Sequence, residues 1–177
     1  MRASVLADPD VHWISSCGGR FVVLPDSSLA DWRGYPDDGR DPLDASHDYG
    51  RACAATGYAS MLPVGKIHAL VFGENESGGV YLGRKHPILF EWIYADSTDA
   101  VIGALQRLPD GFDSDAELQF DVTSNHLNVF DSAFSGLDFE PQHSCRFPIQ
   151  PGRFTIASTL YEPYEDTGLI IHRFIRA

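Results

Sequence analysis

The chain has 177 residues, 44% of them hydrophobic, enough to bury a sizeable core in one compact domain. Its 25 acidic against 13 basic residues give a net charge of −12, a surface sign that disfavours nucleic acid and anionic lipid and attracts a basic partner. No apolar run approaches the roughly 20 residues of a membrane span, Met1 to Val11 lacks the apolar centre of a signal peptide, and Cys17, Cys53 and Cys145 are too few and too scattered for a disulfide framework, so a cytoplasmic protein with reduced thiols is expected.

Along the chain, Val11 to Ile14 and Phe21 to Leu24 read as short strands around the turn Ser15–Gly19, whose paired glycines permit positive φ. Pro25 ends the second strand, and a short helix over 27–32 follows. Gly34 to Asp48 (GYPDDGRDPLDASHD) is polar, rich in Pro, Gly and Asp, and without apolar periodicity, which predicts an exposed loop. Asp48 to Ala55 leads into three strand-like runs, 58–64, 67–72 and 79–82.

His86 to Leu108 is the stretch around which the remainder is expected to pack. Ile88, Leu89, Phe90, Trp92, Ile93 and Tyr94 form a dense apolar strand interrupted only by Glu91. Asp96, Ser97 and Thr98 can cap a helix over 97–108 whose Val101, Ile102, Leu105 and Leu108 make one apolar stripe. Pro109 and Gly111 stop it. Beyond a second acidic loop, 116–122 alternates cleanly and pairs through a turn with 126–130, and three more strands are predicted at 145–149, 153–161 and 169–174. These elements predict a single α+β domain over 1–177, β-rich and mostly antiparallel, with one main helix and a loose subdivision at 109–115.

Sequence spacing points to no reactive centre. The seven histidines lie apart, without HExxH or an i, i+4 pair, and no CxxC, GxSxG, GxGxxG after a strand or GxxxxGK[ST] is present, so no metal, cofactor or enzymatic activity is expected. Cys17 ahead of Gly18 and Gly19 reads as a buried structural thiol rather than a nucleophile. The surface offers more. Seven aspartates and two arginines lie between Asp26 and Asp48, and Asp37, Asp38, Asp41, Asp44 and Asp48 stand between the aromatic residues Trp32 and Tyr49. Rings for contact area and carboxylates for steering suit a basic protein partner, and these seven residues are the candidate partner-binding site. The tip Tyr161 to Asp166 is a second acidic and aromatic candidate.

Several segments carry a family resemblance: Trp13 to Pro25 (WISSCGGRFVVLP), Trp32 to Gly34 (WRG), Asp48 to Cys53 (DYGRAC), Ala69 to Gly73 (ALVFG), Phe90 to Ala95 (FEWIYA) and Phe130 to Gly136 (FDSAFSG). In this order, over roughly Trp13 to Arg173, they resemble the immunity protein 21 family of bacterial polymorphic toxin systems. Arg20 stands where that family is expected to have proline. The resemblance implies a non-enzymatic inhibitor that binds and neutralises a cognate toxin domain by stoichiometric contact. A nuclease toxin is the expected class, since its basic substrate cleft would accept an acidic inhibitor. Two other classes stay open on residue chemistry: a small-molecule-binding domain with a pocket lined by Trp13, Phe90 and Trp92, and a hydrolase in which folding sets Cys17 or Asp131 beside a histidine. A neighbouring gene for a large secreted toxin would favour immunity over both.

Overall fold

Two antiparallel sheets pack face to face in the computed structural model, which describes residue 8 and residues 10–177. One sheet runs β1 (Val11–Ser15), β5 (Ser77–Tyr81), β6 (Ile88–Ala95), β11 (Thr167–Arg176), β10 (Gly152–Tyr164), β7 (Ala116–Val122). The other runs β3 (Ala59–Val64), β4 (Ile67–Phe72), β2 (Phe21–Pro25), β8 (His126–Asp131), β9 (Ser144–Pro148). Two α-helices, α1 (Asp48–Cys53) and α2 (Thr98–Gln106), and 3-10 helices at Asp26–Asp31 and Pro141–His143 complete a β-rich α+β fold. Both sheets draw strands from either side of residues 109–115. No helix among the described residues is long and apolar enough to cross a membrane.

Strand alternation sends side chains to three layers. Between the sheets lie Phe21, Val23, Leu70 and Phe72 from one side and Leu89, Phe120, Phe154, Ile156 and Phe174 from the other. The outer face of the six-stranded sheet is covered by α2, whose Val101, Ala104 and Leu105 bury against Phe90, Leu169 and Ile171. On the outer face of the five-stranded sheet, Trp32 and Ala52 close over Val22, Leu24, Val71 and Phe130. Each sheet is thus apolar on both faces, which explains why β2 and β6 read as continuous hydrophobic runs.

The main helix forms where its cap predicts, with Ser97 Oγ accepting the Ala100 N–H at 3.2 Å, but it closes at Gln106. The helix expected over 27–32 is a 3-10 turn over Asp26–Asp31. The segment Asp48–Cys53, expected only to lead into a strand, is helical because His47 caps it: its Nδ1 accepts the Gly50 N–H at 3.0 Å. Glu91, the apparent interruption in the apolar run of β6, is 1% exposed and bonds His172 of β11 at 3.1 Å. Trp92, expected in the core, is half-buried and packs at the edge of the layer under α2.

Candidate functional site

Four of the segments that carried the family resemblance, 13–25, 32–34, 48–53 and 130–136, meet at one corner. Trp32 is fully buried there and its indole Nε1 donates to the Ser132 carbonyl at 3.1 Å, while its own carbonyl accepts the Gly136 N–H at 2.9 Å. Trp32 is therefore a core residue and no partner anchor, a correction to the sequence reading: the indole packs over β2 and β8 against Val22, Leu24 and Phe130. Two residues on, Gly34 takes φ +66, and a Cβ there would lie 2.5 Å from the Ala133 carbonyl oxygen, so only glycine lets the chain turn off this surface. Tyr35 N–H then bonds the Ala133 carbonyl at 2.9 Å.

The acidic loop that begins here is ordered by its own carboxylates. Asp38 pairs with Arg40 at 2.6 Å, and Arg40 Nη1 donates to Ser46 Oγ at 2.8 Å. Asp41 Oδ1 accepts the Leu43 N–H at 2.9 Å, Asp44 Oδ1 the Ser46 N–H at 2.8 Å, and His47 Nε2 reaches the Asp41 carbonyl at 3.1 Å. The Arg40 guanidinium holds the Asp38 carboxyl below its usual range, and the Ser46 N–H does the same for Asp44. Asp48 faces inward, accepting the Arg33 N–H at 2.7 Å and pairing with Arg51 at 2.5 Å. The helix α1 closes against the loop at Gly50, where a Cβ would overlap the Asp44 carbonyl oxygen.

Of the seven candidate residues, Asp37, Asp38 and Asp41 face solvent, Asp44, Asp48 and Tyr49 are half-buried, and Trp32 is inside. Tyr49 stacks on His47 at 6.5 Å between centroids, and burial, with the Cys53 thiol beside it, pushes its hydroxyl up to about 12. Sequence reasoning missed Leu43: it is 67% exposed in the middle of these aspartates. Its signal was present as the one large apolar residue in a polar loop.

Directly behind this corner, folding does what sequence spacing could not show. Cys17 Sγ lies 4.0 Å from His143 Nε2, and the Cys17 N–H donates to Asp131 Oδ2 at 2.6 Å. Asp131 is fully buried, with its second oxygen accepting the Ala133 N–H at 2.9 Å. The His143 ring stacks on Phe134, 5.2 Å between centroids. Cys17 is exposed, contrary to the buried thiol expected. Partial burial and then the neighbouring Asp131 carboxylate push its thiol above the ordinary range, the opposite of what a thiolate nucleophile requires. The Cys17–His143 contact is the juxtaposition a hydrolase would need, without the lowered thiol.

The aromatic residues considered for a ligand pocket pack on one another instead: Trp13 meets Phe90 at 5.3 Å and Trp92 at 5.7 Å between centroids, in the layer under α2. An open groove of about 470 Å³ lies elsewhere, along Arg84, His86, Phe112 and Arg173. Its arginines are engaged: Arg84 with Asp110 and the Gln106 and Leu108 carbonyls, Arg173 with the Asp110 carbonyl and the Phe112 ring.

No curated protein and no solved structure matches the chain significantly. The sequence profile described as immunity protein 21 matches residues 12–167, which takes in the five-stranded sheet, the six-stranded sheet up to the start of β11, α1, α2 and every segment of the corner just described. By that match the chain belongs to the immunity protein 21 family.

Proposed function

We propose that the chain neutralises a polymorphic toxin domain inside the producing cell by stoichiometric binding, without catalysis, and that the face of loop 34–48 makes the contact. Family membership supports a toxin partner, and the loop supports the mode of binding. The observation that carries the site is Leu43, 67% exposed among the solvent-facing carboxylates of Asp37, Asp38 and Asp41 on a loop braced by its own hydrogen bonds. An apolar side chain held rigidly in a ring of charge loses little entropy on binding and buries area at the centre of the contact. The carboxylates then speed encounter with a basic surface, and a nuclease with a cationic substrate cleft fits that complementarity. Asp44, Asp48 and Tyr49 act behind this face by fixing the loop on α1.

Co-expression with the toxin encoded beside the gene tests the reading. Leu43→Asp combined with Asp37→Asn, Asp38→Asn and Asp41→Asn should abolish protection while leaving thermal stability nearly unchanged. Full protection by that variant, with loss on altering Glu162, Tyr164 and Glu165, would move the site to the β10–β11 hairpin tip.

A further inference from the structure

We propose that Cys17, Asp131 and His143 form a binding site for a divalent metal ion of borderline softness, Zn²⁺ foremost, with a fourth coordination position open to solvent. One ligand atom from each residue lies within 4.8 Å of the other two. Tetrahedral zinc with bonds of about 2.0–2.3 Å needs its ligands about 3.5 Å apart, so the 4.0 Å between Cys17 Sγ and His143 Nε2 closes with a small side-chain rotation. A thiolate, an imidazole and one carboxylate suit zinc or cobalt, whereas calcium and magnesium require oxygen donors throughout.

Two further features mark the cluster as built for a cation. His143 Nδ1 lies 2.7 Å from the Ser15 carbonyl oxygen, which can only accept, so Nδ1 carries a proton and Nε2 is the ring nitrogen turned to Cys17 and free to ligate. That carbonyl–imidazole pairing is the outer-shell contact that fixes a metal-ligating histidine. Asp131 is fully buried, yet among the described residues it takes part in no ion pair; its carboxylate accepts the Cys17 and Ala133 N–H groups and lies beside the Cys17 thiol. A buried carboxylate without a counter-charge is costly, and a cation bound between it and Cys17 supplies one. The exposed Cys17 gives the ion its entry path. Bound there, the metal ties the β1–β2 turn to the segment 131–143 on which loop 34–48 is docked.

The purified, untagged chain tests this without its toxin. After chelator treatment, titration with Co²⁺ should give, at one equivalent, a thiolate-to-cobalt charge-transfer band and the intense visible bands of four-coordinate cobalt. One equivalent of Zn²⁺ should displace them. Cys17→Ser should remove the charge-transfer band, His143→Gln should weaken Co²⁺ binding at least about tenfold, and Cys145→Ser should change neither, with circular dichroism confirming the fold of each. Zn²⁺ should also slow alkylation of Cys17 in the unmutated chain. No charge-transfer band in that chain, its survival in Cys17→Ser, unchanged affinity in folded His143→Gln, or alkylation indifferent to Zn²⁺ would each overturn the site.

Discussion

Inside the sandwich, the carboxyl of Glu91 balances opposing influences. Burial pushes it up most strongly, but the hydrogen bond and charge of His172, with the Glu74 N–H and the Asn75 amide, outweigh burial and bring it below the ordinary range. A carboxyl lowered on folding contributes stability that is complete above its unfolded value and is lost as pH falls through the folded one. Glu91 therefore stabilises the chain above about pH 4 and loses that contribution on further acidification. Urea unfolding across that window should show a steep acid slope that Glu91→Gln flattens. Glu91→Ala at neutral pH, which leaves the buried His172 Nε2 without its partner, should cost about 1 to 3 kcal/mol. Ser132 predicts the reverse sign. Its Oγ is buried without a hydrogen-bond partner, while its backbone N–H and carbonyl serve Arg20 and Trp32. Ser132→Ala keeps both backbone bonds and removes an unsatisfied hydroxyl, so the melting temperature should hold or rise, by at most the equivalent of about 1 to 3 kcal/mol.

At the scale of elements, local patterns were legible wherever periodicity decided the outcome. The alternation of 116–122 and the capped start of α2 follow from side-chain period and cap chemistry alone. The hairpin expected between 116–122 and 126–130, by contrast, does not form: β7 pairs with β10 in one sheet and β8 with β2 and β9 in the other, so the turn between them carries the chain from sheet to sheet. What depends on distant partners was not legible. The helix Asp48–Cys53 is short and has no apolar stripe to announce it, since its cap is an imidazole rather than Ser, Thr, Asp or Asn. Glu91 finds its reason 81 residues away, and Cys17 meets His143 across 126. Trp32 looked like a surface anchor because it stands beside an acidic loop, but the loop's turn at Gly34 points it inward. Trp32→Ala should therefore cost about 3 to 5 kcal/mol and lower protection by unfolding, and should cost more than Trp92→Ala, a residue only half-buried. Gly50→Ala separates placement from charge. It pushes the Asp44 carbonyl off α1 without altering any carboxylate, so protection should fall while the fold persists by circular dichroism. Unimpaired protection would mean that the loop's position is irrelevant to binding.

Over the whole molecule, the charge of −12 acts at longer range than any contact, yet the carboxylates are not equivalent. Asp26, Asp48 and Asp121 are paired with Arg146, Arg51 and Arg153, which leaves their net field small. Asp37 and Asp41 face solvent outside any described ion pair, in a loop where Asp38 has already been matched by Arg40. With half-buried Asp44, these two carry the loop's charge outside any described ion pair. Replacement by Asn is safe at both positions: Asp37 takes φ +44, which Asn tolerates well, and in Asp41→Asn the side-chain amide oxygen can still accept the Leu43 N–H. The double variant Asp37→Asn, Asp41→Asn should slow association with the toxin by a few fold to about tenfold at low ionic strength, leave dissociation nearly unchanged, and flatten the dependence of the association rate on salt. The matched control is Glu165→Gln with Asp166→Asn, which removes the same charge from the β10–β11 hairpin tip. If overall charge alone steers the encounter, stopped-flow mixing will give the same rate loss for both pairs. A larger loss for the loop pair locates the steering field at Leu43, because screening over about 8–10 Å confines each charge's influence to the approach of its own face.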